Sequence, residues 1–444
     1  MVSSSDKLIL TINSGSSSLK LALYRVDDWQ TLVRGGATRL GLHGGRLRIA
    51  DARGCALLDR EVGPIDHLAA FHELAGWIRH NYPAGSLKAI GHRIVHGGSR
   101  FTEPHLVTDD MIRSLEELAA IDPDHTPQSI SMLRRSAANF PGVPQVACFD
   151  TAFHRHMPRF AQMYALPRRF YDEGILRYGF HGLSYEYICS ALAKIDGGTS
   201  LECGDSSPLS HGTPNSQSSG EVGQASSLLL EPSVSSNSRN EAESSVSGTS
   251  RVVIAHLGNG ASMAAILNGT SIDTTMGFSP VSGLVMGTRC GDLDPGAAVH
   301  LIEERKMTPE LVTALINKKS GLLGVSGSSE DMQDLLGREA TDPHAAEAIQ
   351  LFCYSAKKYL GAYAAALGGL DTIVFTGGIG ENAATIRQRI CSDLDFLGIK
   401  IDAARNNANA PLISADDAKV RVRVIKTNED LMIARHTARL IEAS

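Results

Sequence analysis

Four titratable side chains lie beside apolar or glycine-rich segments, where α/β proteins commonly bind ligands. Arg93 lies in AIGHRIVHGGSRF and Arg289 in MGTRCGDLDPG. Asp150 directly follows the apolar segment VPQVACF, and His181 lies between the glycines of RYGFHGLS. Because a guanidinium binds carboxylate or phosphoryl oxygens with two parallel hydrogen bonds, the arginines indicate an anionic ligand. Structural roles are the alternative: a turn cap for Asp150, a loop hydrogen bond for His181, and ion pairs with neighbouring aspartates for the arginines.

Three glycine-containing turns, each after an apolar run, are candidates for binding phosphate groups. They are TINSGSSSLK (residues 11–20), HLGNGAS (256–262) and TGGIGEN (376–382). Backbone N–H groups in such turns can approach phosphate oxygens that side chains would block. The spacing is not that of a P-loop, and a single glycine turn is commonly only a tight turn. Together, with Asn13 and Lys20 beside the first, the three turns predict a phosphate clamp.

The alternation of apolar segments along the chain predicts strands and helices in an α/β arrangement. Two units share one layout, in which an apolar strand, a polar glycine turn and a second apolar strand follow each other, and this repetition indicates two related halves. The predicted strands are residues 7–12, 19–24, 251–255, 263–267 and 372–375, and the long predicted helices are residues 184–194, 345–366 and 429–442.

Polar residues next to apolar helical patterns predict where three helices begin. Ser184 is the expected N-cap of the helix at 184–194, and Asn382 that of the helix in NAATIRQRI. The C-terminal helix is amphipathic and is expected to be capped by Thr427 or Asn428. From the residues alone, Glu429 in its first turn is expected to interact favourably with the helix dipole.

Composition indicates an ordinary globular enzyme-sized protein. The 444 residues are 43% hydrophobic and 20% charged, which suffices for two domains with sizeable cores. A net charge of −6 without long basic runs argues against nucleic-acid or membrane-surface partners. Seven scattered cysteines predict neither a disulfide framework nor a zinc site and favour the reduced cytoplasm. No signal-type segment or long apolar run is present, so neither export nor membrane spanning is expected.

Residues 197–250 differ in composition from the rest of the chain. Serine accounts for 17 of these 54 residues, and Gly, Pro, Asn and Glu make up most of the remainder. Such a segment buries too little apolar surface to fold, so a disordered insert is expected. A tolerated expansion of a surface loop is the simpler explanation, and a regulatory or partner-binding role is the alternative.

The chain resembles the acetate kinase family in a series of sequence blocks that cover nearly all of it outside the insert. In order, these blocks are NSGSSSLK, GHRIVHGG, FDTAFH, YGFHGLS, HLGNGAS, DTTMGFSPVSGLVMGTRCGDLDPG, GLLGVSG, VFTGGIGEN and TNEDLMIARHT. The resemblance implies a two-domain, actin-like ATPase clamp of ribonuclease H-like topology, with duplicated mixed-sheet halves and an interdomain cleft. It implies an N-terminal domain of residues 1–152 completed by 427–444, and a C-terminal nucleotide-binding and dimerisation domain of residues 153–426 that contains the insert.

The same resemblance implies an activity, cofactors and partners. The activity is reversible phosphoryl transfer from ATP to acetate, giving acetyl phosphate and ADP, in a homodimer with Mg²⁺, or Mn²⁺ in its place. A propionate or butyrate kinase is the close alternative, because a small acyl pocket decides between these substrates. A chaperone-like or actin-like ATPase that transfers nothing to a carboxylate is the alternative from another class, and it leaves Arg93 and Arg289 without a carboxylate to bind.

Site residues follow from the resemblance, position by position. It implies catalytic roles for Asp150, His181 and Arg289, and a carboxylate-binding role for Arg93 in a pocket with Val95, Phe180 and Pro280. The remaining implied residues are Asn13 and Glu429 for the metal, and Lys20, Ser16, Ser18, His256, Leu257, Gly258, Asn259, Gly260, Asp331, Met332, Gln333, Gly378, Ile379, Gly380, Glu381 and Asn382 for ATP.

The chemistry also limits what Asp150 can do. A carboxylic acid such as acetate is ionised at neutral pH, so its attack on phosphorus needs no general base. The barrier comes from bringing two anions together, and positioning and charge neutralisation lower it. We therefore expect Asp150 to orient Arg93 or a magnesium-bound water rather than to remove a proton.

Three positions depart from the family pattern. Asp124 in IDPDHTP replaces an apolar residue of the acyl pocket, where a carboxylate is unfavourable unless it points away or is paired. Gln333 stands where the family usually has arginine, and Tyr185 replaces a histidine after GLS. These changes concern the acyl substrate more than the type of reaction.

Overall fold

The computed structural model describes residues 6–15, 18–41, 43–83, 85–119, 125–197 and 250–443. Ser16, Asp124 and the predicted insert, apart from its two ends, lie outside these residues. The described chain is an α/β protein of two domains, each built around one mixed sheet. This architecture agrees with the actin-like clamp expected from the sequence.

The first sheet has, within the described residues, eight strands in the order β5-β4-β3-β2-β1-β6-β8-β7. Strands β1 to β5 form an antiparallel meander, and β6 and β8 extend it in parallel beyond β1. Its strands are β1 (Leu8–Ser14), β2 (Ser18–Arg25), β3 (Thr31–Thr38), β4 (Gly45–Asp51), β5 (Ala56–Val62), β6 (Leu87–Ile94), β7 (His105–Leu106) and β8 (Gln145–Phe149).

The second sheet repeats the central connectivity of the first. Its order is β11-β10-β9-β12-β13, with an antiparallel β9–β10–β11 meander and parallel β12 and β13. The hairpin β9–β10 thus corresponds to β1–β2, which confirms the prediction of two related halves. Its strands are β9 (Arg251–Leu257), β10 (Ala261–Leu267), β11 (Thr270–Thr274), β12 (Thr372–Thr376) and β13 (Arg421–Val424).

Helices cover the sheets and supply much of both hydrophobic cores. None of the helices in the described residues is long and apolar enough to cross a membrane. The helices are α1 (His67–Asn81), α2 (Asp109–Leu118), α3 (Thr126–Asn139), α4 (Arg159–Gln162), α5 (Arg168–Asp172), α6 (Gly182–Ile195), α7 (Pro295–Glu303), α8 (Pro309–Lys318), α9 (Gly321–Ser326), α10 (Met332–Arg338), α11 (Pro343–Ala366), α12 (Gly377–Asn382), α13 (Ala384–Cys391), α14 (Ala403–Asn407) and α15 (Glu429–Glu442), with 3₁₀ turns at Ala152–His154 and Asp395–Leu397.

The C-terminal helix α15 returns to the first sheet. It packs on β1, β6 and β8, and Asn428 caps it by accepting a hydrogen bond from Leu431 N at 3.3 Å, as expected. A Cβ at Gly91 on β6 would overlap Thr437 Oγ1 and Ile433 of α15, so only glycine permits this close approach. The contact supports a discontinuous first domain, while the boundaries at 152 and 426 stay predictions.

The other two predicted caps are wrong. Helix α6 begins at Gly182, so His181 is its N-cap residue and Ser184 lies inside the first turn. Asn382 is the last residue of α12 and donates a hydrogen bond to Gly378 O at 2.9 Å. The segment GGIGEN is itself a short helix, α12, rather than an open turn. The N-cap position of α13 is therefore occupied by Ala383 and not by Asn382.

Candidate active site

The first glycine turn joins β1 to β2 and brings two predicted ligand-binding residues side by side. Asn13 and Lys20 are directly paired across the hairpin, and Gly15 N donates to Ser18 O at 2.8 Å. His67 Nε2 lies 2.8 Å from Gly15 O, which fastens the turn to α1. Asn13 and Lys20 therefore project from one end of the first sheet, as the sequence predicts, while Ser16 lies outside the described residues.

Arg93 and Asp150 form a buried ion pair at the ends of the parallel strands β6 and β8. Asp150 Oδ2 accepts hydrogen bonds from Arg93 Nε at 3.0 Å and from Arg93 Nη2. Arg93 Nη1 also approaches Asn13 Oδ1 at 3.4 Å, and Asn13 Nδ2 donates to Glu429 Oε2 at 3.2 Å. Four residues that are distant in sequence thus form one network between the first sheet and α15.

The environment of Asp150 has opposing effects on its pKa. The side chain is fully buried, and this burial raises its pKa, while the guanidinium of Arg93 opposes the rise. The charge of Glu429 adds to the rise, so the two carboxylates lie within electrostatic reach of each other. A buried carboxylate held by one arginine is well suited to orient that arginine.

His181 and His256 stack face to face beside this network. Their ring centroids are 4.3 Å apart, and the ring planes differ by 23°. His181 has a left-handed backbone conformation with φ of 60°, and Gly182 N donates to Asp150 O at 2.9 Å. Burial lowers the pKa of His256 to about 4 and that of His181 well below its usual value. Both rings are therefore neutral at neutral pH.

Arg289 reaches the same place from the loop after β11. Its Nη1 donates to Pro280 O at 3.1 Å, and Gly287 N of its loop donates to Asn259 O at 3.0 Å. A Cβ at Gly260 would lie 3.3 Å from His181 Nε2 and 3.5 Å from Arg289 Nη1, so both groups border this glycine. Burial is the main cause of the low pKa of His181, and the charges of Arg93 and Arg289 add to it, so both guanidiniums lie within electrostatic reach of this ring.

The three residues of the predicted acyl pocket are buried or half-buried. Val95 is 9% exposed and Phe180 is 2% exposed, and both belong to one hydrophobic cluster. Pro280 is half-buried and accepts the hydrogen bond from Arg289. Of these three residues, Pro280 contacts Arg289 and Val95 lies two residues after Arg93, whereas Asp124 lies outside the described residues.

The second and third glycine turns approach each other at one end of the second sheet. A Cβ at Gly258 would lie 3.9 Å from Gly378 N, and one at Gly377 would lie 2.7 Å from Leu257 O. Gly378 has open space on its Cβ side, so its backbone is accessible to a ligand. The other implied ATP contacts of these two segments are His256, Leu257, Asn259, Gly260, Ile379, Gly380, Glu381 and Asn382.

In the third turn, the side chains of Glu381 and Asn382 have intramolecular hydrogen bonds. Glu381 Oε1 accepts from Gly377 N at 3.1 Å, from Thr427 N at 3.2 Å and from Thr376 Oγ1 at 3.4 Å. It therefore ties the end of β12 to the segment that leads into α15. Asn382 is bonded within α12, as described above, so the turn's backbone is better placed for phosphate than its side chains.

Asp331, Met332 and Gln333 lie at the start of α10, which packs on α11. Asp331 caps the helix by accepting from Asp334 N at 2.9 Å, Met332 is buried and Gln333 is exposed. Within the described residues no hydrogen bond joins these three to Arg93, His181 or the glycine turns. Their predicted contact with ATP stays a prediction.

The oxygen atoms near Asn13 and Glu429 fit a hard divalent cation. Asp150 Oδ1 and Asp430 Oδ1 are buried without a hydrogen-bond partner in the described part of the chain. Burial raises the pKa of both carboxyl groups, and the charge of Glu429 adds to the rise. No three His, Cys, Asp or Glu side chains among the described residues form a complete protein cage. Mg²⁺ commonly takes one or two carboxylates and completes its shell with water and phosphate oxygens, so this set suits it.

Sequence reasoning missed four hydroxyl groups that hold the two histidines. Ser262 Oγ lies 2.8 Å from His181 Nδ1, and Tyr185 Oη lies 2.5 Å from Ser262 Oγ. Ser184 Oγ lies 2.8 Å from both His256 Nδ1 and Thr427 Oγ1. The position of Tyr185, one helical turn after His181 and different from the family pattern, was the available signal.

Comparison with known proteins identifies the family of the chain. The model of the acetokinase family matches residues 8–202 and 236–435. An acetate kinase from Rhodopseudomonas palustris (strain ATCC BAA-98 / CGA009) is 42% identical over 442 residues, which cover 98% of each chain. A propionate kinase from Francisella tularensis subsp. tularensis SCHU S4 superposes with a TM-score of 0.82 at 33% identity, over 98% of this chain and 99% of that one. The acetate kinase of Porphyromonas gingivalis gives 0.78 at 34% identity, over 98% and 100%. The chain belongs to the acetokinase family.

Proposed function

We propose that the chain catalyses the reversible transfer of the γ-phosphoryl group of ATP to acetate, giving acetyl phosphate and ADP. The observation that supports this most is that the Arg93–Asp150 pair and the Gly260 site shared by His181 and Arg289 are joined through the bond from Gly182 N to Asp150 O, near the apolar Val95 and Phe180. A small carboxylate needs cationic groups for its oxygens and an apolar surface for its methyl group. Two anionic reactants also need positive groups between them.

In this proposal the transfer is a direct in-line displacement. A carboxylate oxygen of acetate forms a bond to the γ-phosphorus while the bond from phosphorus to the β–γ bridging oxygen breaks, and the electron pair leaves with ADP. No residue removes a proton, because acetate is already ionised. Arg93, oriented by Asp150, binds the carboxylate, and Val95, Phe180 and Pro280 enclose the methyl group.

The remaining groups neutralise the charge of the transferring phosphoryl. His181 donates a hydrogen bond to it, and Arg289 binds its oxygens with the guanidinium fork. Lys20 and the backbone of the three glycine turns, including Ser16 and Ser18 of the first, hold the β- and γ-phosphates. The segments 256–260, 331–333 and 378–382 are the proposed contacts with the rest of ATP.

We include Mg²⁺, with Mn²⁺ as a substitute, as the divalent ion of the reaction. Asn13 and Glu429 would hold it, directly or through water, with the unpaired carboxylate oxygens of Asp150 and Asp430 nearby. When bound, such an ion neutralises charge on the β- and γ-phosphate oxygens. The oxygen-rich donor set of these residues supports this assignment.

A substrate panel tests the proposed function. Purified protein is assayed with ATP, Mg²⁺ and acetate, propionate, butyrate or formate, and both ADP and acyl phosphate are measured. We expect the largest kcat/KM with acetate and one acyl phosphate formed per ADP. Release of ADP without acyl phosphate would contradict the proposal and favour an ATPase. A larger kcat/KM with propionate, the substrate named for the Francisella relative, would favour the alternative kinase.

We also propose that the chain is a homodimer formed through the face of α7 and α8. Helix α7 is largely apolar, yet none of its residues is buried. The exposed fractions are 49% for Val299, 38% for Ile302 and 53% for Leu311 of α8. Contiguous exposed apolar side chains of this kind commonly mark a self-complementary interface.

Replacing Leu311 by Glu is expected to convert the dimer into a monomer, because a charge cannot be buried unpaired at the centre of an interface. The measurement is the mass in solution by light scattering or sedimentation. Leu57→Glu is the matched control, since Leu57 is a leucine of similar exposure, 49%, on β5 of the first sheet and away from α7 and α8 in the sequence. Equal masses for wild type and both variants would contradict this interface.

A cytoplasmic location is part of the proposal. Among the cysteines that the structure describes, Cys55, Cys148, Cys290, Cys353 and Cys391 are free thiols. Unpaired cysteines are typical of a reducing compartment, where ATP is also available. No nucleic-acid or membrane partner is proposed, in line with the net charge of −6.

A further inference from the structure

Behind His181 lies a chain of hydrogen bonds that the proposed mechanism does not yet use. His181 Nδ1 lies 2.8 Å from Ser262 Oγ, and Ser262 Oγ lies 2.5 Å from Tyr185 Oη. His181 is the N-cap residue of α6 and Tyr185 lies in its first turn, where Tyr185 N donates to His181 O at 3.1 Å. Ser262 lies on β10 of the second sheet. The imidazole is thus fixed from both its own helix and a sheet strand.

The hydrogen atoms of this chain can be placed by accounting for donors and acceptors. Tyr185 is 0% exposed, and Ser262 Oγ is the only acceptor for its hydroxyl group in the described part of the chain. A buried hydroxyl that does not donate is costly, so the phenol donates to Ser262 Oγ. The serine hydroxyl carries one hydrogen, which then points to His181 Nδ1. Nδ1 is therefore the acceptor.

The direction of these hydrogen bonds determines whether Nε2, the other ring nitrogen of His181, carries a hydrogen. Burial, His256 and the two arginines lower the pKa of His181 well below its usual value, so the ring carries a single N–H. With Nδ1 accepting, that hydrogen is on Nε2. Nε2 is the ring nitrogen that borders Gly260, the glycine that Arg289 Nη1 also borders.

We propose that Tyr185 is a positioning residue, which acts through Ser262 to fix His181 as the Nε2–H tautomer and so presents a hydrogen-bond donor to the crevice. The inference rests on the proposed function only in naming the transferring phosphoryl group as the acceptor. With the opposite tautomer, a lone pair on Nε2 would face an anion and repel it. One buried hydroxyl thereby determines whether His181 attracts or repels the reacting group.

The departure from the family pattern at position 185 strengthens the argument. A histidine there could donate to Ser262 or accept from it, so the direction of the hydrogen bonds would depend on the tautomer of a second histidine. Tyrosine has one hydroxyl hydrogen, and burial raises its pKa, so the phenol keeps that hydrogen. In this chain the direction of the hydrogen bonds is therefore determined by one residue.

Nitrogen NMR of ¹⁵N-histidine-labelled full-length protein tests the tautomer directly. The His181 signals are assigned by their loss in His181→Gln. For the wild type at neutral pH we expect a protonated Nε2 and an unprotonated Nδ1. In Tyr185→Phe and in Ser262→Ala this preference is expected to be lost, with a mixture of tautomers. Ser184→Ala, which removes the same group from the stacked His256, is the matched control and should leave His181 as Nε2–H.

Kinetics give the second readout. Tyr185→Phe is expected to lower kcat about 10-fold, typical for loss of a group that orients a functional histidine, with KM for ATP and acetate within about two-fold of wild type. Tyr185→His restores a donor and is expected to regain part of the loss. Thermal unfolding of each variant identifies any that is misfolded. If Tyr185→Phe does not fold, Ser262→Ala, which is a smaller change, is used for the test.

Two results would overturn the inference. The first is an Nδ1–H tautomer in the wild type, and the second is an unchanged Nε2–H tautomer in folded Tyr185→Phe and Ser262→Ala. Failure of the proposed function is distinguishable, because it appears as absence of acyl phosphate with every carboxylate tested while the tautomer of His181 is as expected.

Discussion

Replacement of Arg289 by Ala is expected to lower kcat on the order of 10³-fold, as for the loss of other arginines that stabilise a transferring phosphoryl group. The guanidinium is held at the crevice by the 3.1 Å hydrogen bond from Nη1 to Pro280 O. Because the charge on the phosphoryl oxygens is greatest during transfer, kcat and kcat/KM should fall by similar factors. Steady-state kinetics with acetate and ATP measure both.

Two further variants separate charge from geometry and from general effects of losing an arginine. Arg289→Lys keeps the positive charge but loses the planar fork, so we expect a smaller loss than for alanine. Arg46→Ala removes an exposed arginine that pairs with Asp59 on the first sheet and should leave kcat unchanged. If folded Arg289→Ala stayed within ten-fold of wild type, the proposed role of Arg289 would be wrong.

The sequence predicts the framework of this site well because its signals are local. Apolar runs interrupted by glycine turns predict both hairpins, and the structure has them at β1–β2 and β9–β10. The parallel strands β6 and β8 end next to each other, so Arg93 and Asp150 meet there as expected for polar residues beyond strand ends. These contacts follow from the topology that alternating strands and helices impose.

The side-chain chemistry around the histidines is less predictable, because it depends on contacts between distant segments. Ser184 reads as a helix cap, yet its hydroxyl binds His256, 72 residues further on. His181 takes the N-cap position without capping through its side chain, since its ring is turned to Ser262. Glu381 reads as a ligand for ATP, but its carboxylate accepts from three donors within the protein. A residue type that commonly caps helices or binds ligands can be recognised in a sequence. Its hydrogen-bond partner in the folded chain cannot, because that partner comes from a distant segment.

The pair of Arg93 and Asp150 offers a sharper test of how the carboxylate functions. Arg93→Ala is expected to lower kcat on the order of 10³-fold, and Asp150→Asn on the order of 10²-fold, because a misaligned guanidinium no longer binds the acetate carboxylate well. Arg93→Ala also leaves the fully buried Asp150 without its cation, which is expected to cost about 3–5 kcal/mol in the free energy of unfolding. Kinetics and denaturant unfolding measure the two effects independently.

The double variant Arg93→Ala/Asp150→Asn decides whether Asp150 acts only by orienting Arg93 or also through a separate contact. Residues that act as a unit show non-additive losses, so the double variant should be about as slow as Arg93→Ala alone. It should also regain part of the lost stability, since a neutral amide needs no buried counter-charge. Arg46→Ala/Asp59→Asn at the exposed pair is the control, and small, additive changes are expected there.

A strictly additive kinetic result would contradict this role. Acetate arrives ionised, so a base has no proton to remove, and the effect of Asp150 on kcat must pass through whatever its oxygens hold. Oδ2 holds Arg93, while Oδ1 has no partner in the described part of the chain. A further 10²-fold loss in the double variant would therefore assign to Oδ1 a separate contact with the divalent ion or its water. Without that loss, the contribution of Asp150 is the orientation of one guanidinium.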